Sequence, residues 1–104
     1  MKGSRYITKL FTADQVINIG PCLVWDVTIA ADGAVGNCDI YNGDNDQAEK
    51  KIHLEAISGT SFSWHGHTDV PWEYGIYLKV NASTTNVMIT YMPVGKAYLT
   101  DREK

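Results

Sequence analysis

The chain has 104 residues and a formal net charge of −3, which fits one domain with a single core and argues against a nucleic-acid binder held by phosphate contacts, which needs a basic face. Hydrophobic residues make up 44% and charged residues 20%, too apolar for a disordered chain, and no run nears the roughly 20 apolar residues of a membrane span. Lys2, Arg5 and Lys9 precede no apolar stretch, so no signal peptide is expected.

The dominant period along the chain is two. Strand-like segments at 5–11 and 15–19 lead into the clearest one, 22–31, where Leu23, Trp25, Val27 and Ile29 alternate with Asp26 and Thr28. That pattern predicts a half-buried strand with Trp25 at the centre of the core. Asp32-Gly33 follows, a two-residue hairpin signal. Such a hairpin would pair 22–31 with the next strand, 34–42, and set Ala31 opposite Ala34, Val27 opposite Cys38 and Trp25 opposite Ile40. Cys22 and Cys38 would then point to opposite faces, too far out of register for a disulfide, so both thiols are expected to be free. The same register sets Asp26 against Asp39, which is unfavourable unless the register slips or that face meets a cation or a basic partner.

Asn42-Gly43 marks the next turn and opens an acidic loop through Asp44, Asn45 and Asp46. The loop lacks the glycine and the closing glutamate of an EF-hand and reads as a solvated loop. In 50–57, Ile52, Leu54 and Ala56 alternate with Lys51, His53 and Glu55, and Ser58-Gly59 turns the chain into 61–66. Past an aromatic-rich stretch, SWHGHTDVPWEYG, come strand 75–81, the polar turn NASTTN and a last strand, 86–92. No segment sustains a helical period. The expected architecture is all-β: an antiparallel two-layer β-sandwich, jelly-roll-like, with seven to eight short strands in a single domain over 1–104.

His65 and His67 share a face at strand spacing and could both reach one metal ion. No third ligand stands at a recognisable spacing, and the longer cupin motif is missing, so no metal and no cofactor is expected. Cys22 and Cys38 lie in apolar strands, where a thiol is inert. With no nucleophile motif, phosphate loop or dinucleotide fingerprint, no enzymatic activity is expected. Of the aromatic residues Trp64, Trp72, Tyr74, Tyr77 and Tyr91, some must fill the core, and Trp72, after Pro71, is placed to plug the end of the sandwich. The rest suit docking onto a protein. The candidate protein–protein interface combines Lys2, Arg5, Tyr6, Lys9, Trp64, His65, His67, Trp72 and Tyr74. Within it the basic, strand-forming segment 1–11 is read as an arm that docks on a neighbouring subunit.

The stretch from Cys38 to Pro93 resembles a pattern of small β-sandwich structural proteins of tailed-phage virions. The matching positions are Tyr41, Gly43, Ile52, Ala56, Gly59, Pro71, Gly75, Ile76, Tyr77, Val80, Val87, Tyr91 and Pro93. The resemblance covers about half of the chain and leaves out the first 20 residues. It implies a capsid decoration (cement) protein, or a head or tail accessory subunit, without catalysis. The implied partners are the major capsid protein or other virion subunits and further copies of the chain, often as a trimer, with no nucleic acid or membrane bound. The implied location is the virion, after synthesis in the cytoplasm of the bacterial host. The alternative is a carbohydrate- or receptor-binding β-sandwich module, since such modules share this architecture and use exposed tryptophan and tyrosine.

Overall fold

The computed structural model of the chain describes residues 6–32, 34–66, 71–81 and 84–95. Its eight strands are β1 (Ile7–Phe11), β2 (Gln15–Ile19), β3 (Cys22–Ala31), β4 (Gly36–Asn42), β5 (Glu49–Ala56), β6 (Ser61–His65), β7 (Gly75–Val80) and β8 (Thr84–Pro93). The alternation of β-branched and polar residues that predicts strands in the sequence places each of them within about two residues of its expected position.

The strands form two antiparallel four-stranded sheets, with order β1-β8-β3-β6 in the first and β2-β7-β4-β5 in the second. Successive strands alternate between the sheets except at β4 and β5, which pair as neighbours in the second, and this is the order of an eight-stranded jelly roll. Ile29, Ile40, Ile76, Leu78, Ile89, Val27 and Val87 are fully buried between the layers, each contributing about 1.5–3 kcal/mol by leaving water. Ile7 and Phe11 of β1 and Trp64 of β6 pack against the margins of this core.

The expected hairpin at Asp32-Gly33 does not form. β3 lies in the first sheet between β8 and β6, and β4 lies in the second between β5 and β7. A strand has only two edges, and both edges of β3 are taken by distant strands. The longest ladder joins the ten-residue strands β3 and β8, with Val27 opposite Ile89 and Ile29 opposite Val87. Burying both apolar faces outweighs a local turn preference, so the chain crosses between sheets after β3. Asp26 and Asp39 are therefore on different sheets and do not oppose each other.

The same ladder overturns the placement of Trp25. Val24 faces Tyr91 and Asp26 faces Thr90, which leaves Trp25 as the extra residue of a bulge. The bulge reverses the alternation: Cys22 and Val24 join the core before it, and Val27, Ile29 and Ala31 after it. Trp25 is only partly buried and is not central. Both cysteines are free and buried in the core. The free thiols agree with the expectation, but the opposite-face geometry offered for them does not.

Residues 7–11 are likewise not a free arm. β1 pairs with β8 from Ile7–Tyr91 to Phe11–Val87 as an edge strand of the chain's own sandwich. Their alternating Ile7, Lys9 and Phe11 place two apolar side chains against the core. The rest of the expected arm, residues 1–5, lies outside the described residues.

Candidate functional site

The outer faces of the two sheets differ in chemistry. In the first sheet the positions pointing away from the core include Thr8 and Leu10 on β1, Met88 and Thr90 on β8, Asp26, Thr28 and Ala30 on β3, and Ser61, Ser63 and His65 on β6. Hydroxyls pair across the strands, Thr8 with Thr90 at 2.9 Å and Thr28 with Ser63 at 2.8 Å. Leu10 stands opposite Met88, 59% and 41% exposed. Among the described residues, the ionisable side chains of these positions are Asp26 and His65, and they bind each other at 2.7 Å. At one end the rings of Tyr6 and Trp25 lie 5.0 Å apart.

The second sheet's outer face is charged. His53 bridges Asp39 at 2.5 Å and Glu55 at 2.9 Å, and these two carboxylates, Glu55 first, raise its pKa. Lys50 reaches Asp39 at 3.5 Å and lies 6.0 Å from the Tyr41 ring centre. Tyr41 in turn meets Tyr77 at 6.1 Å.

A groove of about 540 Å³ opens at one end of the sandwich, lined by Ile19, Tyr74 and the β4–β5 loop from Asn42 to Glu49. Pairing of β2 with β7 sets Ile19 opposite Gly75 and so beside Tyr74. The Tyr74 main chain is held from two sides: its N–H donates to Asn42 Oδ1 at 2.9 Å, and its carbonyl accepts from Gly20 at 3.0 Å. Asn42 is itself buried. The loop is ordered from within, because Gln47 N–H donates to Asn45 Oδ1 at 2.8 Å and Asn45 Nδ2 to Asp44 Oδ1 at 2.9 Å. Lys79 anchors it to β7 through Asp46 at 3.1 Å, a contact that lowers the Asp46 pKa and raises that of Lys79.

The candidate interface residues do not come together as one patch. Trp72 is 6% exposed and exchanges main-chain hydrogen bonds with Cys22 at 2.8 and 2.9 Å. It plugs the sandwich end and is not available to a partner. Trp64 turns inward and lies over Gly66, where a Cβ would strike its ring. His65 is exposed on the first sheet, Lys9 is exposed on β1, and Tyr6 packs at a tilt against Trp25. Tyr74 is 67% exposed in the groove, on the other sheet's side. Lys2, Arg5 and His67 lie outside the described residues. Among the described residues no group of three or more histidine, cysteine or carboxylate side chains is placed to hold a metal ion.

Sequence reasoning did not single out Leu10, Met88 or Ile19. Leu10 and Met88 are apolar residues in the outward phase of their strands, a signal legible once Ile7, Phe11, Val87 and Ile89 are taken as inward. Ile19 closes a short edge strand and carries no such pattern. No protein-family model and no curated protein matches the chain.

Proposed function

We propose that the chain is a non-enzymatic structural subunit of a tailed-phage virion, a decoration (cement) protein that binds and stabilises the phage head. The observation that carries this reading is the outer face of the first sheet. It presents hydroxyls, Leu10, Met88 and the Tyr6–Trp25 pair, with its two ionisable side chains, Asp26 and His65, hydrogen-bonded to each other. The cores of protein interfaces are poor in charge and rich in methionine and aromatic residues, and covering such a face strips water from few ionic groups. The charged outer face of the second sheet is the solvent side in this reading. The strand-and-turn resemblance to small virion proteins points the same way, and the jelly roll is an architecture used by capsid domains among others. Partners in this reading are the major capsid protein or other virion subunits and further copies of the chain, with a trimer favoured by the resemblance. Repeated weak contacts on a lattice then give strong retention.

The test is incorporation. Purified virions of the phage that encodes the chain are expected to carry it in many copies per particle. The double variant Leu10→Glu, Met88→Glu, altered only at exposed positions, is expected to fold and to be lost from particles. A wild-type chain that is abundant in lysate and absent from virions overturns the reading, as does a double variant incorporated like wild type.

A further inference from the structure

The groove at the sandwich end has a chemistry that the assembly reading does not use. Ile19 is 79% and Tyr74 67% exposed, two large apolar side chains side by side in water. Facing them are the polar side chains of Asp44, Asn45, Gln47 and Glu49. A volume of about 540 Å³ is within the roughly 300–1,000 Å³ of small-molecule clefts. Among the described residues no lysine, arginine or histidine lines it, which disfavours an anionic ligand such as a phosphate. No group of three metal-ligating side chains was found among the described residues, which disfavours a bound cation. A lipid tail would need a closed apolar slot, and here one wall is polar.

A sugar ring fits both walls. It has an apolar C–H face that stacks on an aromatic ring and a rim of hydroxyls that donate to carboxylates. We propose that this groove binds a neutral saccharide, one pyranose ring stacked on Tyr74 and flanked by Ile19, with its hydroxyls donating to the Asp44 and Glu49 carboxylates. The site is built before the ligand arrives. The Tyr74 main chain is fixed by Asn42 and Gly20, and the loop by its internal hydrogen bonds and the Asp46–Lys79 contact, so little ordering is required on binding. The groove is distinct from the outer face of the first sheet, so saccharide binding and virion incorporation succeed or fail independently.

The experiment is a titration of the ¹⁵N-labelled full chain, followed by amide shifts. The probes are methyl glycosides of glucose, galactose, mannose and N-acetylglucosamine and their disaccharides, taken to millimolar concentration. Saturable shifts are expected at Ile19, Gly43, Gln47 and Tyr74 with at least one probe. Tyr74→Ala is expected to weaken that binding by about tenfold or more. Tyr74→Phe, which keeps the ring, and Phe62→Ala, an exposed aromatic elsewhere, are expected to bind like wild type. If Tyr74→Ala does not fold, Asp44→Ala tests the opposite wall and is expected to weaken binding. The proposal is overturned if no probe gives saturable shifts, if the shifts lie outside the groove, or if folded Tyr74→Ala or Asp44→Ala binds like wild type.

Discussion

Tyr6 and Trp25 pack with ring centroids 5.0 Å apart and planes tilted by 49°, on the face where a bulge has turned Trp25 out of the core. Their contact is a surface aromatic pair, so Trp25→Ala is expected to cost about 1 kcal/mol rather than the larger loss of a core tryptophan. A double-mutant cycle with Tyr6→Ala should return a coupling of about 0.5–1.5 kcal/mol. A loss above about 3 kcal/mol for Trp25→Ala alone would restore it to the core.

Trp72 carries the opposite expectation. It is 6% exposed, belongs to the core cluster and is bridged to Cys22. Truncation to alanine should cost about 3–5 kcal/mol, read as a lower denaturant midpoint with an unchanged slope. A near-neutral Trp72→Ala would show that the end of the sandwich is closed by other side chains.

Gly75 has φ of +142°, and a Cβ there would meet the carbonyl oxygen of Asn18. Both the backbone conformation and the close approach of β2 exclude a side chain. Gly75→Ala is expected to destabilise the fold by about 1–3 kcal/mol and to shift amide resonances at Asn18 and Tyr74. A substitution without effect on stability would contradict the tight β2–β7 junction that sets Tyr74 beside Ile19.

Cys22 and Cys38 are buried, and desolvation pushes both thiols up to about 12. Thiolate is the reactive form, so neither group should react with a thiol reagent in the native state at neutral pH. Two should react in denaturant. Rapid native labelling, or fewer than two thiols on unfolding, would contradict the buried, unpaired geometry.

His53 has its pKa raised above the ordinary 6.5 by Glu55 and Asp39, so the folded state holds its proton more tightly than the unfolded chain. The resulting stability is complete below the ordinary value and is lost as pH rises through the higher folded value. The thermal midpoint is expected to drop slightly between about pH 6 and pH 8, since the group is exposed, and His53→Gln should flatten the drop. An unchanged profile in His53→Gln would assign the pH dependence to another group.

The amino-acid sequence by itself determined where the strands are. Alternation and turn chemistry are local, so 15–19 and 22–31 were legible to the residue, and Trp72 could be read as a plug from its place after Pro71. The sheet pairing was decided only by the tertiary structure. Asp32-Gly33 is a sound hairpin signal, but β3 gains more by pairing with β8 and β6, since apolar burial across the whole ladder outweighs one turn. The inward phase of β3 was also decided there, because the bulge at Trp25 exists only relative to β8, and a one-residue offset reverses which side chains face the core. The groove is the plainest case. Ile19 and Tyr74 are distant in sequence and neighbours only because β2 lies against β7, a long-range pairing set by the burial of both sheets and by no pattern around either residue.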